Sequence, residues 1–274
     1  MAFNVYFEEL SENTQGCDWV VGDIHGAFEL LDIALAFIEF NPAYDRLICC
    51  GDWVDRGATS GRVLEYLRKD WVYSVRGNHE HEWLSRYVEC SPTSKDYERM
   101  QRTYGLDGGG WFRGLSQMER EEFFALIEPL PYALEFMSPM GRIGVLHAEV
   151  PLSCSSWIQL KSRLIDQDEC CIESVLWGRN RVTQRINQPV KEVDWICAGH
   201  TTLPYGVEVF GNMIDLDSGA IWQQEHYSNY AGLTLFDTRI GRFHQIGLKP
   251  DAPQQVSQRL HNHYRYDVFS AAPW

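Results

Sequence analysis

An α/β fold is what the sequence predicts, on three observations. Short apolar runs alternate with helix-period segments between residues 19 and 75, six apolar runs end abruptly at polar residues, and the composition is that of a globular chain with a sizeable core. In the first run, Trp19-Val20-Val21 leads into Gly22-Asp23-Ile24-His25-Gly26. Ala27, Phe28, Leu31, Ala34, Leu35 and Ile38 then follow the spacing of a helix with one buried face. Leu47-Ile48-Cys49-Cys50 is a second strand, running into Gly51-Asp52-Trp53-Val54-Asp55-Arg56-Gly57. Val63, Leu64 and Leu67 mark a shorter helix, and Trp71 to Val75 a third strand that ends at Arg76-Gly77-Asn78-His79-Glu80. Strand, helix, strand, helix, strand favours right-handed crossovers and a largely parallel sheet.

Residues 88–141 interrupt the alternation with helix-prone, charged stretches at Lys95 to Arg102 and Glu119 to Ile127, closed by Pro129 and Pro131, and read as a helical insertion. Three later runs again stop at polar residues: Ile143 to Leu146 at His147, Trp195 to Ala198 at Gly199-His200, and Met213-Ile214 at Asp215-Leu216-Asp217. Leu233 to Phe236 and Phe243 to Ile246 read as antiparallel strands of a second sheet layer. From Lys249 the chain turns to Pro, Gln and Ser, so residues 1–247 are expected to form a single catalytic domain and 248–274 a loosely packed tail.

With 274 residues, 45% hydrophobic and 23% charged, the chain is neither disordered nor short of apolar mass. Its formal net charge of −14 has the wrong sign for a bulk nucleic-acid partner. No apolar run is long enough to span a bilayer, and the acidic N-terminus is unlike a signal peptide, so neither membrane insertion nor export is expected. Eight cysteines include the adjacent pairs Cys49/Cys50 and Cys170/Cys171 and no CxxC spacing. They read as buried free thiols of a cytoplasmic protein. Oligomeric state leaves no mark in the sequence.

In an open α/β sheet, ligands bind at the carboxyl ends of the strands, where these polar clusters lie. A metal pair that hydrolyses phosphoesters needs hard oxygen and borderline nitrogen ligands, including a carboxylate that can bridge. Asp23 and His25 can chelate one ion from a single loop, Asp52 is placed to bridge, and Asn78, His147 and His200 can complete a second. A set without cysteine suits Mn²⁺, Fe or Zn²⁺. Taken singly, each residue also has a structural reading: an Asx turn for either aspartate, a hydrogen-bonded core histidine, an N-cap for Asn78.

GDIHG, GDWVDRG and GNHE, in this order, resemble the three-part signature of the calcineurin-like metallophosphoesterases, in particular the phosphoprotein phosphatase branch with its bacterial and phage serine/threonine phosphatases. The resemblance extends over most of residues 18–222 through GGGWF at Gly108, LHAE at His147, WGRNR at Arg179, GHT at His200 and DSGA at Asp217. It implies a β-sandwich flanked by helices whose sheets meet at a dinuclear centre, manganese foremost. Asp23, His25 and Asp52 would hold one ion, and Asp52, Asn78, His147 and His200 the other. It also implies His79 as general acid paired with Asp55, and Arg56 and Arg179 as phosphate-binding arginines, with Arg181 close enough to compete for the last role. The activity implied is hydrolysis of phosphate monoesters on protein serine or threonine, with tyrosine also possible, by water activated between two metals. Symmetrical hydrolysis of diadenosine tetraphosphate or hydrolysis of another nucleotide, and an inactive scaffold of the same fold, are the alternatives.

Overall fold

The computed structural model describes residues 5–89, 108–203, 206–221, 231–248, 253–260 and 266–269. Two sheets pack face to face. The first has the order β13-β12-β11-β10-β2-β3-β4, with β2 at Asp18–Val21, β3 at Arg46–Cys49, β4 at Val72–Ser74, β10 at Leu233–Asp237, β11 at Arg242–Leu248, β12 at Pro253–Leu260 and β13 at Tyr266–Phe269. The second has the order β1-β5-β6-β7-β9-β8, with β1 at Phe7–Glu9, β5 at Ala133–Ser138, β6 at Gly141–Leu146, β7 at Trp195–Ala198, β8 at Glu208–Phe210 and β9 at Met213–Asp215.

Strand periodicity of two sorts the side chains into layers. Val20, Ile48 and Val75 of the first sheet meet Leu134, Ile143, Val145 and Ile214 of the second in the central layer. Trp19, Val21, Leu47 and Cys49 point the other way, against helices α1 (Phe28–Phe37), α2 (Val63–Leu67) and α3 (Asn78–Glu89) and the helix Gln117–Ile127. On the far side Ala133, Leu146 and Ile196 pack under the helices Trp157–Ile165 and Glu169–Trp177. The expected β-sandwich flanked by helices is present, as four layers.

Three details differ from the sequence reading. β10 and β11 are antiparallel as expected but extend the first sheet, because β10 pairs with β2, Leu235 opposite Val21. The second layer is built instead around β6, β7 and β9, which run parallel. An alternating pattern fixes which residues face inward and leaves the partner strand open. The helical stretch before Gly141 ends early: after the helix Gln117–Ile127, opened by a Ser116/Glu119 capping box, residues 133–138 form β5 and pair with β6. After Lys249 the chain adds the antiparallel strands β12 and β13 in place of an irregular tail. The helix expected at Lys95 to Arg102 lies outside the described residues. Among the described residues no helix is long and apolar enough to cross a membrane.

Candidate metal centre

Within each sheet the three strands that carry motifs are parallel, so their carboxyl ends open on one edge. The face-to-face packing brings the two edges together. Asp23 and His25 leave β2, Asp52 leaves β3, Asn78 and His79 open α3 just beyond β4, His147 follows β6 and His200 follows β7. All seven are buried. Close approach of the loops needs glycine: a Cβ on Gly77 would lie 2.2 Å from Asp52 Oδ1.

Asn78, His147 and His200 meet tightly. His147 Nε2 is 2.7 Å from Asn78 Oδ1, 3.1 Å from His200 Nδ1 and 3.6 Å from Asp52 Oδ1, and His200 Nδ1 is 2.9 Å from Asn78 Oδ1. His147 Nδ1 donates to the Cys50 carbonyl at 2.8 Å, which leaves a lone pair on Nε2 facing the amide oxygen. Two acceptors at that distance repel unless a cation lies between them. Atoms bound about 2.1 Å from one ion stand roughly 3.0–3.4 Å apart at octahedral or tetrahedral angles, close to the spacing found here. Beside this group, His25 donates from Nδ1 to the Val54 carbonyl at 2.9 Å and turns Nε2 inward, 3.3 Å from Asp52 Oδ2 and 3.8 Å from Asp23 Oδ2. Asp52 thus has one oxygen toward each group. Asp23 is fixed by the His200 N–H, 3.1 Å from Oδ1 and 3.0 Å from Oδ2.

Electrostatics point the same way. Burial pushes His25 down to about 3, with the Arg56 charge adding to it, and burial with His147 and Arg179 pushes His200 down to about 2. Burial lowers His147 too, and in all three it favours the neutral imidazole that can ligate. Burial alone would raise Asp52, but His147, His79 and His25 outweigh it and hold the carboxyl well below its usual range. Asp23 is pushed well above that range by burial and by the charges of Asp217 and Asp52. A dry pocket with several carboxylates and neutral imidazoles fits hard or borderline divalent cations.

Next to it lies a dyad. His79 Nδ1 is 2.7 Å from Asp55 Oδ2, and the ring's Nε2 faces the pocket, 3.8 Å from Asp52 Oδ2. Burial opposes protonation of His79, yet the Asp52 charge and the hydrogen bond and charge of Asp55 lift it to about 9. Cations in the pocket would push it back down. Arg56 and Arg179 are both exposed at the mouth, Arg56 Nη1 reaching His25 Nε2 at 2.5 Å and Arg179 Nη1 donating to Thr201 Oγ1 at 3.2 Å. Arg181 is buried and spent on structure: its guanidinium donates to the Val150 and Gln188 carbonyls, and its own N–H donates to Glu149. Of the two, only Arg179 has an exposed side chain. Five of these residues carry positive φ without being glycine: His25 at 45°, Asp52 at 53°, Asp55 at 70°, Arg56 at 65° and His200 at 70°.

Sequence reasoning left three supports without a role. Glu80 is fully buried and accepts the backbone N–H groups of Asp52, Trp53 and Gly77 at 2.9–3.0 Å, tying the second motif to the third. Trp83 and Trp111 direct their indole N–H groups at Asp55. The positions of Glu80 inside GNHE and of Trp111 inside GGGWF were usable signals, but the pairing of Trp111 with a partner 56 residues away was not.

Residues 19–204 match the family model described as calcineurin-like phosphoesterase. A serine/threonine-protein phosphatase 1 from Salmonella typhimurium is 32% identical over 207 residues, covering 74% of this chain and 87% of the relative. A symmetrical bis(5'-nucleosyl)-tetraphosphatase from Sodalis glossinidius is 43% identical, over only 75 residues and 27% of each chain. A protein serine/threonine phosphatase from Saccharomyces cerevisiae, similar to human PP5, shares the fold at TM-score 0.53 and 17% identity, over 95% of this chain and 85% of its own. By the extent of the family match and of the Salmonella relative, the chain belongs to the calcineurin-like phosphoesterases, hydrolases built around a dinuclear metal centre.

Proposed function

We propose that this protein is a phosphatase that removes phosphate from serine and threonine side chains of phosphorylated proteins, with tyrosine phosphate as a secondary substrate. In this reading Asp23, His25 and Asp52 hold one divalent ion, and Asp52, Asn78, His147 and His200 hold the other, manganese foremost and iron or zinc as alternatives. Such ions, when bound, lower the pKa of water and offset charge on the phosphoryl oxygens. Arg56 and Arg179 hold those oxygens with planar forks. His79 gives the proton on Nε2 to the seryl or threonyl oxygen as its bond to phosphorus breaks, and is left as a neutral imidazole. Water supplies the oxygen gained by the released phosphate. Asp55 keeps the other ring proton on Nδ1 and so fixes the tautomer.

The observation that carries the reading is the His79–Asp55 pair with Nε2 turned to the ligand cluster. An alkoxide is a strongly basic leaving group, and a well-placed acid is worth about 10² to 10⁴ in rate. Cleavage of a nucleotide anhydride releases a weakly basic phosphate and needs such an acid far less. The match to the Salmonella phosphatase over most of both chains favours the same choice. Seven cysteines among the described residues are free thiols, six of them buried, which favours the reducing cytoplasm.

The test is a comparison of kcat/KM in Mn²⁺ for a phosphoserine peptide, a phosphotyrosine peptide, diadenosine tetraphosphate and a phosphodiester. The phosphoserine peptide is expected to be the best of the four. Preference for diadenosine tetraphosphate would replace this reading with the nucleotide hydrolase.

A further inference from the structure

Asp55 is completely buried, and its carboxylate is gripped from three sides. His79 Nδ1 lies 2.7 Å from Oδ2, Trp111 Nε1 donates to Oδ1 at 2.7 Å, and Trp83 Nε1 reaches both oxygens, at 3.1 and 3.2 Å. Trp83 belongs to α3, the helix that begins with Asn78 and His79, so it comes with the site. Trp111 comes from elsewhere. It lies in the 3-10 turn Gly109–Gly114 and is anchored edge-on against Trp83, Phe112 and Phe123. The same segment sits directly on Arg56: Gly108 has φ 96°, and a Cβ there would lie 2.3 Å from the Arg56 backbone nitrogen. Asp55 and Arg56 both have left-handed backbone, a conformation that costs about 1 kcal/mol or more per residue and persists only where neighbours enforce it.

We propose that Trp111 is a positioning residue for proton delivery: its indole N–H sets the plane of the Asp55 carboxylate, and Asp55 in turn aims the His79 ring at the leaving oxygen. The apolar ring alone would serve packing. The N–H on a buried carboxylate is what packing does not require. Indole N–H has no acceptor capacity and cannot compete with His79 for the carboxylate's role, so it orients the acceptor without capturing the proton that His79 holds on Nδ1. The segment of residues 108–115 thereby takes part in the chemistry through Asp55.

This inference rests on His79 acting as the acid, and the test separates the two. Trp111→Phe is compared with wild type on a phosphoserine peptide, whose leaving group is strongly basic, and on 4-nitrophenyl phosphate, whose leaving group departs without a proton. Metal content is measured in parallel, and His79→Asn is the reference. Turnover of the peptide by Trp111→Phe is expected to fall about tenfold, in the range typical of supporting hydrogen bonds. Turnover of 4-nitrophenyl phosphate should stay within about twofold, KM should hold for both, and metal content should be unchanged. Benzothienylalanine at position 111, which has sulfur in place of N–H on an equally large ring system, should reproduce the split and excludes a packing defect. Equal losses on both substrates in the benzothienyl protein, or full activity on the peptide, would overturn the role of Trp111. If His79→Asn itself fails to discriminate between the substrates, the assignment of the acid is wrong at its root.

Discussion

At Asp52 one side chain is asked to serve two groups of ligand atoms at once. Its oxygens lie 3.6 Å from His147 Nε2 and 3.3 Å from His25 Nε2, and Oδ1 also accepts the His79 N–H at 3.0 Å. Asp52→Ala is therefore expected to release both ions, as measured by plasma emission on the desalted protein; a variant that keeps two ions per chain would contradict the shared ligand. His79→Asn should keep its metal while peptide turnover drops by about 10² or more, measured at saturating substrate. The polar residues of the centre were legible in the sequence because they follow short strands within compact motifs. The three supports were legible only in part, since a hydrogen bond such as Trp111 to Asp55 depends on how distant segments pack.

Strands and helices set the next level of constraint. Glu80, in the first turn of α3, takes three backbone N–H groups from the loops after β3 and β4, so α3 cannot shift without releasing them. Glu80→Ala would strand three buried donors, and a loss of about 3–5 kcal/mol is expected in urea unfolding. On β11, His244 packs edge-on between Trp19 of β2 and Phe37 of α1. Burial lowers its pKa, with Arg242 adding to the effect and Asp237 opposing it. The folded state then binds its proton less readily than the unfolded one, so this contribution to stability is present above about pH 6.5 and lost as pH falls below it. Replacement of His244 by Gln should flatten the stability profile between pH 7 and 5, followed by urea midpoints at each pH. The existence of these strands could be read from periodicity, but the sheet they join could not: Leu235 faces Val21 through main-chain pairing that no side-chain pattern specifies.

Across the whole molecule, the four layers place the centre where two sheet edges meet, so its ligands are contributed by segments from residue 23 to residue 200. Ions bound there would tie the two sheets together and favour the folded chain by linkage. Chelation with EDTA should abolish activity and lower the unfolding temperature, and added Mn²⁺ should restore both; a stripped protein that unfolds at the same temperature as the loaded one would show that the sheets do not need the ions. The backbone at the centre is itself costly, for His25, Asp52, Asp55, Arg56 and His200 all lie in the left-handed region that glycine enters freely. A selection for heat resistance with no requirement for turnover would erode this corner of the protein first, trading those side chains for hydrogen atoms. Durability and chemistry are drawn from the same few peptide units, and a laboratory lineage bred for toughness should drift toward a sturdy, idle shell.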